Sequence, residues 1–163
     1  MTIHVELNPA SIDAAIKKLE DYRHDLDRKA GLLCERLADM GAMYAEWNFS
    51  GVLYAGDIDY SITVNRIDDM HYSVLANGQS VLFMEFGAGI HYGGGHPLEA
   101  EFGMGPGTYP GQTHALDPNG WRFKQNGRWI HTLGNPAGMP MFNAAKDLEK
   151  EITKVAREVF GTT

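Results

Sequence analysis

The sequence has a single cysteine, Cys34. One cysteine cannot form a disulfide within its own chain, so the fold needs no oxidising compartment and suits a reducing cytoplasm. Cys34 also lies within a helical apolar pattern, which favours a small buried side chain rather than a catalytic nucleophile. We therefore expect neither disulfide nor thiol chemistry.

The sequence also has fewer basic than acidic residues and no long apolar run. The chain has 14 Lys and Arg against 21 Asp and Glu, a net charge of -7. Because binding to nucleic-acid phosphates requires clustered positive charge, tight sequence-specific DNA binding is not expected. No apolar run approaches the ~18 residues that cross a bilayer, and the first seven residues lack the basic and apolar regions of a signal peptide. These absences predict a soluble protein that is not exported by a classical signal.

Motifs of catalysis and cofactor binding are missing as well. Gly87-Ala-Gly89 lacks the third glycine of a dinucleotide fingerprint, and the chain has no Gly-Lys-Ser/Thr of a P-loop. No serine lies in a Gly-x-Ser-x-Gly elbow. Four histidines fall in or near loops, but their spacing matches no compact zinc or two-His-one-carboxylate pattern; they are His91, His96, His114 and His131. We predict no catalytic residue, no cofactor and no metal site.

The 163 residues are enough for one domain with its own core, so we expect a single domain over 1–163. Residues 3–7 alternate like a short edge strand. Asn8 and Pro9 then predict a helix start, as N-cap and first helical residue. Leu7 and Ile12 are spaced as a hydrophobic staple across that start.

A long helical stripe follows, with apolar residues at alternating spacings of four and three and one charged member, Arg23. Its members are Ile12, Ile16, Leu19, Arg23, Leu26, Ala30, Leu33, Leu37, Met40, Tyr44 and Trp47. A continuous helix from Pro9 to Trp47 would span roughly 55 to 60 Å at ~1.5 Å per residue, so it must bend, break or project. Gly31 and Gly41 are the natural break points. The stripe suits either burial within the chain or packing against a helix of another subunit.

The remaining patterns predict two hairpins and two further helices. Alternation over 58–64 and 71–75 indicates a first hairpin, and the Asn126-Gly127 pair indicates a second. Residues 81–86 favour a short helix, and Pro140 opens a final helix that Gly161 ends. The predicted fold class is α+β: a long N-terminal helix, continuous or broken, and a C-terminal helix packed on a small antiparallel sheet of two hairpins, with a long glycine-rich loop.

The chain is organised around the segment 81–89, where Phe83 and Phe86 can anchor a loop that leaves through glycines. Glu85 must find partners if it is buried, either N–H groups of the loop or the start of the last helix; otherwise it faces outward. Nine glycines and three prolines lie between positions 87 and 111. We interpret 87–116 as an extended interaction loop, and its apolar residues within 90–112 predict an intersubunit arm. Those residues are Ile90, Tyr92, Leu98, Phe102, Met104 and Tyr109.

Three stretches resemble a phage family: Phe83-Met-Glu-Phe-Gly-Ala-Gly89, the Gly120-Trp121 to Thr132 hairpin, and Pro136-Ala-Gly-Met-Pro-Met141 opening a helix. Together with the preceding long helix they resemble the tail-completion, or neck, family of long-tailed bacteriophages and prophages. The family pattern is aromatic-x-Glu-Phe-Gly-Thr followed by Pro-Phe-x-x-Ala. Here Ala88 replaces the threonine, Pro140-Met-Phe-Asn-Ala144 takes the second place, and the 90–112 insertion is longer than in compact members.

This resemblance implies a non-enzymatic virion protein that forms a homo-oligomeric ring, a hexamer or dodecamer, at the head-tail junction or tail end. It implies assembly in the host cytoplasm, contacts with connector, stopper or tail-tube proteins, no membrane, and DNA that passes through without specific binding. The candidate structural and interface residues are Phe83, Glu85, Phe86, Gly87, Gly89, Tyr92, Phe102, Tyr109, Trp121, Pro140 and Met141. The alternative is a prophage-encoded metal-dependent hydrolase that uses the loop histidines.

Overall fold

A computed structural model describes residues 2–54, 56–92, 95–104, 114 and 116–161. It confirms the α+β class, with three helices and two hairpins in the predicted order. Tyr109, one of the candidate interface residues, lies outside the described residues. The elements are α1 Pro9–Ser50, β1 Ser61–Arg66, β2 Tyr72–Asn77, α2 Val81–Phe86, β3 Trp121–Gln125, β4 Arg128–Thr132 and α3 Pro140–Gly161.

Helix α1 is unbroken over 42 residues and begins where the sequence predicts. The Asn8 side chain accepts a 2.8 Å hydrogen bond from the Ser11 N–H, and Pro9 takes the first helical position. The predicted staple is wrong because Leu7 is fully exposed. The predicted edge strand is also wrong: residues 3–6 adopt no regular structure, since no neighbouring strand in the described chain pairs with them.

Gly31 and Gly41, the natural break points in the sequence, do not break α1. A Cβ atom at Gly31 would lie 2.8 Å from the backbone oxygen of Asp69, and one at Gly41 would lie 3.4 Å from side-chain carbons of Leu148 and Val74. Both glycines therefore mark places where other elements approach the helix closely, and the surrounding turns keep the backbone helical.

Helix α3 packs against the second half of α1 in the opposite direction. The Asn48 side chain donates to the backbone oxygen of Pro140 at 3.4 Å, and Arg36 lies 3.8 Å from Glu158 near the other end of α3. The buried positions of α1 are Ala38, Gly41, Ala45 and Phe49, and those of α3 are Pro140, Ala144, Val155 and Val159.

The buried face of α1 corrects the predicted stripe. The small residues of this face lie one position after members of the predicted stripe. They allow α3 to come close, whereas Trp47, a member of the stripe, is 79% exposed. Helix α3 was expected to lie on the sheet, but its main partner is α1, which also carries the β1–β2 hairpin. The core is thus centred on the second half of α1.

The hairpins form separate two-stranded antiparallel sheets. In the first, Ser61 pairs with Asn77 and Arg66 with Tyr72, so the strand starts later than the pattern at 58 suggests. In the second, the turn has φ 50° at Asn126 and 80° at Gly127. Positive φ at both central residues is the geometry that the Asn-Gly pair predicts.

The first half of α1 extends past the end of α3 and keeps its apolar side chains exposed, so this part of the helix projects. The exposed side chains are Ile12, Ile16, Leu19, Tyr22 and Leu26. Within the described residues, no helix is both long and apolar enough to span a bilayer. The stripe is therefore divided between partial burial in the second half of α1 and exposure in the first.

Candidate functional site

The short helix α2 confirms the interpretation of residues 81–86 as helical. A six-residue helix is not stable alone, so its neighbours must hold it. The buried Ser80 hydroxyl, just before the helix, donates to the Asp59 backbone oxygen at 2.7 Å and accepts from the Asp59 N–H at 3.0 Å. These bonds tie the start of α2 to the segment that leads into β1.

Glu85 is the buried centre of the site, with 6% of its surface exposed. Its Oε2 accepts the Met141 N–H at 2.7 Å, and its Oε1 accepts the Phe142 N–H at 3.0 Å. The first N–H groups of a helix have no partner within the helix, and that end favours negative charge. Glu85 therefore caps α3 from another element, which confirms one of the two buried partners considered from sequence.

His96 completes this arrangement from within the glycine-rich loop. It is 3% exposed, and its Nε2 lies 3.0 Å from Glu85 Oε1. Its Nδ1 accepts the Leu98 N–H at 3.0 Å, so Nδ1 carries no proton and Nε2 donates to the carboxylate. We call Glu85, His96 and the Met141 and Phe142 N–H groups the Glu85 junction.

Aromatic rings enclose the junction. The His96 ring centre lies 4.5 Å from that of Phe86 and 5.2 Å from that of Phe142, and Phe86 contacts Phe102 at 5.9 Å. Apolar surroundings strengthen satisfied hydrogen bonds and make any unsatisfied group costly. Phe86 and Phe102, both predicted site residues, thus lie together around Glu85.

The backbone after α2 approaches the segment before α3 too closely for side chains. Ala88 exchanges two 2.9 Å backbone hydrogen bonds with Asn135. Gly87 and Gly89 have φ of 80° and 84°. A Cβ atom would lie 2.7 Å from the Ala137 nitrogen at the first and 2.5 Å from the Leu133 oxygen at the second. Both glycines are therefore required by conformation and by space.

Two further predicted residues, Phe83 and Trp121, lie elsewhere. They line a cleft of about 220 Å³ between α2 and the second hairpin, together with Tyr54, Phe123 and Asp57. Burial raises the pKa of the Tyr54 phenol, and the Asp57 carboxylate raises it further. The predicted residues thus divide between this cleft and the Glu85 junction.

Tyr92, by contrast, is 43% exposed at the edge of the described loop. Pro140 and Met141 begin α3 at the junction, as predicted. No local sequence pattern pairs His96 with a carboxylate 11 positions earlier, so its contact with Glu85 is not predictable from the sequence.

The polar side-chain atoms of the junction all bond to other parts of the fold. Both Glu85 oxygens accept backbone N–H groups, and both His96 nitrogens have partners. His91 and His131 contact the backbone oxygens of Pro118 and Asn119 at 2.8 and 2.7 Å. In the part of the chain that the structure describes, no three or more His, Cys, Asp or Glu residues are grouped to hold a metal ion. Comparison with protein families, curated proteins and solved structures finds no match to this chain.

Proposed function

We propose that this chain is a structural virion protein of a tailed phage or prophage that self-assembles into a ring at the head-tail junction or tail end. One observation carries the proposal. The segment 83–89 and the segment 136–141, which bear the resemblance to the neck family, are joined through the Glu85 carboxylate. The contact between the two motif segments caps a helix and fixes the start of a loop, and such a contact suits a structural role.

Exposed apolar surface supports assembly. The first half of α1 presents Ile12, Ile16 and Leu19 on one side, and the loop residues Ile90 and Phe102 are also exposed. Grouped apolar side chains of this kind mark protein interaction surfaces more often than single ones do. A ring subunit with connector, stopper or tail-tube neighbours would cover such surfaces.

The alternative of a metal-dependent hydrolase has less support among the described residues. His96 is occupied by its two hydrogen bonds, and no described metal-ligand cluster joins it to the other loop histidines. Elemental analysis of the purified protein separates the two functions. Stoichiometric zinc or manganese would favour the hydrolase over the ring protein.

Disruption of the gene in the phage or prophage that encodes the chain tests the proposal. We expect filled heads and separate tails, or tails with irregular ends, by electron microscopy, because the ring that joins or closes them is missing. Supplying the intact gene in trans should restore infectious particles. Normal particle yield and morphology without the protein would contradict the proposed function.

A further inference from the structure

The second hairpin carries positive charge and no acidic residue. No acidic residue occurs between Asp117 and Asp147, although the whole chain has 21. The pairs Arg122↔His131 and Lys124↔Trp129 place four exposed side chains on one side of this hairpin. Trp129 is 70% exposed. We call these four residues the basic hairpin face.

The projecting part of α1 carries the opposite sign beside its apolar stripe. Asp13, Glu20 and Asp27 repeat every seven residues and are exposed, so they line one edge of the stripe. These three carboxylates form no ion pair with another residue of the described chain, whereas Asp25 pairs with Arg28 and Lys29. Arg23 is the one charge within the stripe. We call the three carboxylates with Ile12, Ile16 and Leu19 the acidic helix face.

The two faces cannot meet within one subunit. The base of the hairpin lies near the C-terminal end of α1, because Trp121 and Thr132 line the same cleft as Tyr54, which follows that helix. Asp27, the nearest member of the acidic helix face, lies about 33 Å along the helix axis from Phe49, given a rise of ~1.5 Å per residue. A five-residue strand extends only about 17 Å. Contact between these faces therefore requires two copies of the chain.

We propose that the basic hairpin face of one subunit binds the acidic helix face of the next. Arg122 and Lys124 supply cations for the carboxylate edge, and Trp129 supplies an apolar ring for the exposed stripe. The contact joins two different surfaces, so it is heterologous, and such contacts generate rings when the rotation closes. This inference rests on the proposed self-assembly and identifies the surfaces that perform it.

Nucleic acid is the other occupant that a basic, aromatic face suggests. The face offers two cationic side chains in a protein of net charge -7, which is little attraction for a phosphate backbone. Its complement is present on every copy of the chain. A second subunit therefore fits the face better than DNA does.

Charge reversal on each face, followed by mixing, tests the inference. The hairpin variant carries Arg122→Glu and Lys124→Glu, and the helix variant carries Glu20→Lys and Asp27→Lys. In sedimentation velocity, the wild-type chain should form concentration-dependent oligomers. Each variant alone should associate at least about tenfold more weakly, because like charges then oppose each other. An equimolar mixture should regain association, because the unchanged hairpin face meets the unchanged helix face and the two reversed faces are also opposite in charge. The chain carrying all four changes should regain association.

Lys17→Glu with Lys18→Glu is the control on α1 outside the acidic helix face, and it changes the net charge as much as the hairpin variant does. It should assemble like the wild type, and melting curves should show that every variant folds. If the wild type assembles and the face variants assemble equally well, the inference is wrong while the proposed function stands. A wild type that stays monomeric at all concentrations contradicts both. Duplex binding that only the hairpin variant loses, with assembly unchanged, would identify a nucleic-acid surface instead.

Discussion

Glu85 shows how one carboxylate can organise two distant segments. Replacing it by glutamine keeps its size but substitutes an N–H₂ donor for one acceptor oxygen. One of the two α3 N–H groups then loses its partner in a buried site. We expect Glu85→Gln to lower the free energy of unfolding by on the order of 1 to 3 kcal/mol, measured by urea denaturation. Glu101→Gln, at an exposed position in the loop, is the control and should be neutral. An unchanged free energy of unfolding together with an unchanged particle yield would contradict the structural role of Glu85.

Glu85 stands out in the sequence because a lone carboxylate between apolar neighbours needs partners once it is buried. The start of the last helix was an available partner, since helix N-termini always present unpaired N–H groups. His96 could not be found in this way. Its role depends on a loop path that no periodicity encodes, and its neighbours in sequence are glycine and proline.

At the scale of elements, glycine-to-alanine variants of the long helix α1 test whether its glycines provide flexibility or allow close packing. An alanine at Gly41 meets only ordinary side-chain contacts, so its better helix propensity should leave stability unchanged or raise it by up to about 1 kcal/mol. An alanine at Gly31 would press on the backbone oxygen of Asp69, which should cancel that gain or reverse it. Thermal unfolding of the two single variants compares them directly. Equal stabilisation by both would show that Gly31 is not a packing position.

The glycine-rich loop contributes to the core of the domain. The sequence suggests that the core survives removal of residues 92–111, as an intersubunit arm would allow. That expectation must be corrected, because His96 is buried at the Glu85 junction and Phe102 contacts Phe86. The deletion joined by a short glycine-serine linker should therefore destabilise the chain at least as much as His96→Ala does. A deleted form that melts like the wild type would instead support a loop that is independent of the core.

Local chemistry predicted the elements better than their packing. The Asn126-Gly127 turn and the Asn8-Pro9 helix start depend on neighbouring residues, and both are confirmed. A helix of ~60 Å is too long to lie within this domain, so the sequence allowed a bend, a break or a projection of α1, and the first half of the helix projects. The staple failed because Leu7 has no apolar neighbour to cover it. Which face of α1 receives α3 depends on the small residues Ala38, Gly41 and Ala45, which a search for large apolar side chains overlooks.

The whole molecule combines net acidity with one basic face. A subunit that surrounds passing DNA should repel it weakly, and the proposed contact between copies would occupy the basic hairpin face. Purified protein should therefore show no salt-sensitive duplex binding beyond a ~10⁻⁴ M background. Fluorescence anisotropy with a labelled duplex at several salt concentrations measures this. Micromolar binding at physiological salt would contradict passage without specific contact.

The central claim is that copies of this chain form a ring in a phage particle. Cryo-electron microscopy of the head-tail region and tail end, on particles from the phage or induced prophage that encodes the chain, tests it most directly. We predict a closed ring of six or twelve copies into which the Glu85 junction and α1 can be built, at the head-tail junction or the tail end. Particles that are complete and infectious but contain no density for the chain at either place would contradict the account.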